Sequence, residues 1–224
     1  MRVAKLAYLC AFLPVIAVHL TWSLAFVTGD VDGCLVYWGY CHSISATGRE
    51  YPEFFVFKAL MIPVAVLMML YWMSVYQWLM QLSVTKASAS RIRALGMIAA
   101  VALILYTVTL GASGEPWALP RRIGAVLYFA FTSFAHLALL YSVSRQNELK
   151  KRLGKGSQHL ARLCAVLILM GVISALLGYL WPGYRNWDNA FEWWFALLMM
   201  GQFILVGRMM AFTKFEIHLT VNAH

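Results

Sequence analysis

Four basic residues in the chain have the chemistry to hold a phosphate. Lys58 lies six residues beyond Pro52 in "YPEFFVFK", Arg49 precedes it in "SATGRE", and Arg121 and Arg122 are adjacent in "LPRRIG". Ammonium and guanidinium groups form charge-assisted hydrogen bonds to phosphate oxygens, and arginine does so through a bidentate fork. Two acids accompany them, Glu53 in the first motif and Glu192 in "NAFEWW", to orient the loop between them or to pair with Lys58. Ser43 and Ser45 flank this set beside His42. Their hydroxyls either bond a ligand or, with His42 as base and Glu50 or Glu53 as orienting acid, act as hydrolase nucleophiles. No nucleophile-elbow motif supports the second reading, so catalytic residues are left unassigned.

Two other chemistries are weaker. His19 and His136 are candidate haem ligands, but they lie about 8 and about 14 residues from the outer ends of their segments, a mismatch of roughly 9 Å at 1.5 Å per residue. No Cys/His cluster has zinc-like spacing, and no cofactor is expected. Cys34 and Cys41 flank "LVYWGY" and could close a disulfide on an oxidising face. Cys10 and Cys164 fall in apolar runs, as packing residues.

These side chains must be positioned by an unusually apolar chain. Of 224 residues, 62% are hydrophobic and only 12% charged, too few polar groups to cover a soluble domain. Spanning a bilayer takes roughly 20 apolar residues per helix. The expected spans are 5–27, 54–80, 94–113, 122–144, 162–181 and 190–212. Runs such as "ALMIPVAVLMMLYWM" are apolar on every face, unlike the alternating strands of a barrel. The expectation is an all-α polytopic membrane protein with about six transmembrane helices in one domain. Arg2 and Lys5 ahead of an apolar run imitate a signal peptide, but the run is long and "LAFVTGD" is a poor cleavage site, so it is read as the first helix.

Charge sorts the connections. With the N-terminus cytoplasmic, 13 of the 18 basic residues fall at the inner ends and Arg49, Lys58, Arg121, Arg122 and Arg185 at the outer ones. The positive-inside rule then places both termini in the cytoplasm. The net charge of +9 is a topology signal that needs no nucleic-acid partner. The run "RQNELKKRLGKGSQHLAR" reads as a solvated basic loop within reach of anionic headgroups.

Local signals refine the spans. Pro52 suits the first position of the second helix and Glu53 its positive dipole end. Pro63 predicts a kink. Asn189 and Glu192 have capping-box spacing, and Trp117, Trp181 and Trp187 suit interfacial anchoring.

The order and spacing of "SISATG", "YPEFFVFK" and the later "FEWW" resemble FRAG/DRAM/Sfk-type membrane proteins, which share a domain with the CWH-type N-terminal region. Ser43, Ile44, Ser45, Thr47, Gly48, Pro52, Glu53, Phe57 and Lys58 carry the first motif. Ala46 stands where an acid is common, and "LPRRIG" where a histidine often precedes the fourth helix. The family includes a lipid-remodelling factor for GPI anchors, autophagy modulators, and proteins tied to lipid asymmetry and phosphoinositide kinase recruitment. The resemblance implies a membrane protein that binds a phospholipid or lipid-linked glycan at the outer leaflet and assists lipid remodelling or homeostasis. The alternatives are a regulatory or scaffolding subunit with a membrane-protein partner, and a lipid acyltransferase or hydrolase. The expected location is the plasma or inner membrane, or an endomembrane in a eukaryote.

Overall fold

The computed structural model describes residues 3–112 and 114–216, without the side chain of Glu115. Arg2 and residue 113, the expected end of the third span, lie outside the described residues. Helices dominate: α1 (Ala4–Thr28), α2 (Ile44–Thr47), α3 (Glu53–Gln81), α4 (Lys86–Thr109), α5 (Glu115–Ser144), α6 (Asn147–Leu180) and α7 (Asp188–Phe212), with a 3₁₀ turn over Pro182–Asn186. Six of them, all but α2, are long and apolar enough to cross a membrane, as befits an integral membrane protein.

The expected spans differ from these helices mainly at their charged ends. The fourth helix begins at Glu115 rather than 122, with Pro116 in its first turn, where a missing N–H costs nothing. The larger correction concerns the basic run before 162. It is helix from Asn147 onward, interrupted by non-helical backbone at Gly154. Hydropathy marks only the part of a helix suited to lipid, whereas Lys, Arg, Leu and Gln are good helix formers in any solvent.

Each long helix packs on the next in sequence, and α7 returns to α1, closing a six-membered ring. The pairing of α5 with α6 is the sparsest in that ring, and α6 is the least buried of the six spans. The opposite wall is tight. A Cβ at Gly96 of α4 would fall 2.1 Å from the Trp72 ring of α3, and one at Gly124 of α5 only 2.6 Å from the Tyr106 backbone nitrogen of α4. These two glycines let large rings and neighbouring backbones fill the interior where hydrophobicity alone cannot select partners. Trp72, Trp78, Tyr71, Trp193 and Phe203 are fully buried among them.

Candidate functional site

The first connection, between α1 and α3, folds over one end of the ring. Cys34 and Cys41 are joined as a disulfide. The Cys41 carbonyl accepts from Asn189 Nδ2 at 2.7 Å, and the His42 carbonyl from Trp193 Nε1 at 2.9 Å. The Tyr37 carbonyl accepts from Trp194 Nε1 at 3.1 Å, so α7 anchors the loop at three carbonyls. Asn189 is therefore a tether; α7 begins at Asp188 after Trp187, and no Asn189–Glu192 capping box forms. Trp187 packs edge-on to Trp38 of the same loop, and Trp117 and Trp181 are about half exposed.

Beyond the disulfide the chain makes the short helix α2. Ser43 caps it, its hydroxyl accepting from the Ala46 N–H at 3.1 Å. Pro52 occupies the cap position of α3 and Glu53 its first turn, one place later than expected for the proline. Glu53 is fully buried. Its Oε1 accepts from the Thr28 hydroxyl at 2.8 Å, which fastens the start of α3 to the end of α1, while Oε2 has no partner among the described residues.

A groove of about 1020 Å³ opens where α5, α6 and α7 separate at this end, at the upper limit of typical small-molecule sites. Ser45, Arg49, Arg121, Arg122 and Glu192 all line it. Arg121 and Arg122 stand at its mouth on α5, and Phe134 on the same helix marks its depth, 13 residues on or roughly 20 Å along the axis. Among the described residues none of the three arginines forms an ion pair. Asp188 and Glu192 share the wall, so three cations face two acids. Tyr106 of α4 lines the groove together with Arg49, Arg121 and Glu192. Glu192 also borders a smaller cavity of about 60 Å³ shared with His19 and Tyr37.

The groove changes character with depth. Below the charges its wall is Phe129, Phe134, Met170 and Phe195. Ser133 lies among them, its hydroxyl buried and without a partner among the described residues. Ser174 and Tyr184 are hydrogen-bonded across the α6–α7 side. Burial raises the Tyr184 phenol above its ordinary value, Ser174 opposes the shift and Asp188 adds to it, so the phenol is neutral at physiological pH. An ionic rim above an apolar channel matches an amphiphile, head at the rim and tail within.

Three expected site residues lie outside this groove. Ser43 caps α2, Glu53 joins α1 to α3, and Lys58 places its ammonium 4.9 Å above the Phe54 ring. Lys58 does not pair with Glu192. Its neighbour Phe57 takes the core-facing position with no exposure, and successive helical residues diverge by about 100°, which turns Lys58 away from the ring interior. Nor is a serine triad assembled. Ser43 Oγ bonds Ser45 Oγ at 3.2 Å, whereas His42 Nε2 accepts from the Asp32 backbone N–H at 3.4 Å. The two candidate haem histidines are engaged by tyrosines: His19 Nε2 with Tyr37 at 3.0 Å and His136 Nε2 with Tyr71 at 3.3 Å, each with Nδ1 on the carbonyl four residues before it.

Sequence reasoning missed Asp188, Tyr184, Ser133 and Ser174. Asp188 was detectable, because it precedes Glu192 by four residues and so shares its helical face. The others required the helix arrangement. Compared with models of known protein families, with curated proteins and with solved structures, the chain finds no match.

Proposed function

We propose that the protein binds a membrane lipid with a phosphate-bearing headgroup in the groove between α5, α6 and α7, and assists lipid remodelling or homeostasis. The observation that carries this reading is the convergence of Arg49, Arg121 and Arg122, without ion-pair partners among the described residues, at the rim of a deep apolar channel. Unpaired cations at such a rim are costly unless a ligand or solvent compensates them. The sparse α5–α6 contact offers a lateral path from the bilayer. Glu192 and Ser45 would bond the polar head, and Ser133 a carbonyl or hydroxyl deeper in the lipid. The resemblance of "SISATG" and "YPEFFVFK" to FRAG/DRAM/Sfk-type proteins points to the same class of ligand. By the basic-residue split, the groove end faces outward and both termini face the cytoplasm, in a plasma or inner membrane.

The test is lipid analysis of protein purified in mild detergent. A stoichiometric phospholipid or lipid-linked glycan is expected with the wild type and depleted from the Arg121→Gln/Arg122→Gln variant. Equal lipid in both, with the variant folded, would remove the groove as its site.

A further inference from the structure

The opposite end of the ring holds a second groove, of about 600 Å³, between the first turns of α6 and the last turns of α7. Lys151, Arg152, Lys155 and His159 reach it from α6 and Arg208 from α7. The backbone makes this meeting possible. The helix is broken at Gly154, so the segment before it leaves the axis of the rest. Two residues later, Gly156 lets α6 close on α7, for a Cβ there would lie 2.8 Å from Met209 Cγ. A solvated loop would hold its charges apart; this geometry gathers them from two helices around one space.

The balance of charge is uneven. Lys151 lies 3.8 Å from Glu148, a largely exposed pair that contributes little. Arg152, Lys155 and Arg208 form no ion pair among the described residues. Leu205, Met209 and Phe212 complete the lining, and Phe212 is 69% exposed at the end of α7. Cations beside an apolar wall at a membrane boundary suit a molecule that is both anionic and acylated.

We infer that this groove is a second lipid site, which takes the phosphate-bearing headgroup of an anionic phospholipid against Arg152, Lys155 and Arg208 and lays the adjoining acyl chain over Met209 and Phe212. It is separate from the loop-end groove and does not depend on that groove's function. Free inorganic phosphate offers the same head chemistry without the chain, and the measurement separates the two.

The experiment uses the full chain in neutral detergent, carrying Arg121→Gln/Arg122→Gln so that the loop-end rim does not contribute. Dioctanoyl phosphatidic acid, dioctanoyl phosphatidylcholine and inorganic phosphate are titrated in turn and followed by native mass spectrometry. Phosphatidic acid is expected to bind best, with affinity lowered about fivefold by Arg208→Gln, as for one basic residue near an anionic surface. Arg91→Gln, an exposed charge of α4 outside the groove, is expected to change it less than twofold. Equal losses from Arg208→Gln and Arg91→Gln would overturn the site in favour of a diffuse basic surface. Phosphatidylcholine or inorganic phosphate binding as tightly as phosphatidic acid would overturn the anionic-lipid assignment.

Discussion

Replacing Arg121 by glutamine should weaken binding of a phosphate-bearing lipid by about tenfold to a hundredfold, whereas Lys58→Gln should change it less than twofold. The first figure follows from the rim's composition. Among the described residues Arg121 has no acid within ion-pair distance, so its removal strands no buried partner and costs only its bonds to the ligand. A hydrogen bond to a charged group contributes about 1.5–3 kcal/mol, which converts to that range. Arg122 is more exposed, and its replacement should cost less. Lys58 lies over Phe54, outside the groove. The assay is titration of the purified chain with dioctanoyl phosphatidic acid and with dioctanoylglycerol, which lacks the phosphate, in an Arg208→Gln background. Only the first lipid should show the Arg121 dependence. Loss of affinity at Lys58 equal to that at Arg121, or equal effects on both lipids, would refute the reasoning.

Other outcomes follow from the contacts that shape this end. Thr28→Val removes the hydroxyl partner of a fully buried carboxylate and should destabilise the fold by about 1–3 kcal/mol, read as a lower midpoint in a detergent thermal melt; an unchanged midpoint would show that Glu53 is held otherwise. Gly124→Val places a Cβ 2.6 Å from the Tyr106 nitrogen and 3.0 Å from the Ala102 oxygen. These are backbone atoms that cannot rotate aside, so α5 must move off α4 at about 1–3 kcal/mol, with loss of lipid binding as the rim shifts; wild-type melting and binding would contradict that packing. Cys34→Ser/Cys41→Ser frees a loop closed over a sequence separation of 7, for a loss of about 2.5 kcal/mol in the chain-entropy model. Because that loop bonds Asn189 and Trp193 of α7, lipid affinity should fall with it; retained stability and affinity would show that the bridge is dispensable.

How much of this was legible before the structure depends on the kind of signal. The six long apolar helices were, because a bilayer sets both their length and composition. Their charged ends were not: residues 147–161 are polar yet helical, since backbone hydrogen bonding does not require an apolar side chain. Of the expected ligand-binding residues, Arg49, Arg121, Arg122 and Glu192 were identifiable by type and depth and Ser45 by its motif, and all five line one groove. Depth alone grouped Lys58 with them, yet it lies outside that groove, on a different helical face from the core-directed Phe57. The Asn189–Glu192 spacing suggested a cap, but a helix start two residues earlier freed Asn189 for the loop carbonyl. Tyr184, Ser133 and Ser174 carry no motif; they became site residues only through the separation of α5 from α7 that forms the groove wall.

Determining the structure of the protein in a lipid nanodisc containing anionic phospholipid is the most direct test of the loop-end site. The expected map shows a lipid between α5, α6 and α7, its phosphate within hydrogen-bond distance of Arg121 and its chain running past Phe129 toward Phe134. A groove that is empty, or closed by α6 packing onto α5, with headgroup density at Lys58 instead, would contradict it.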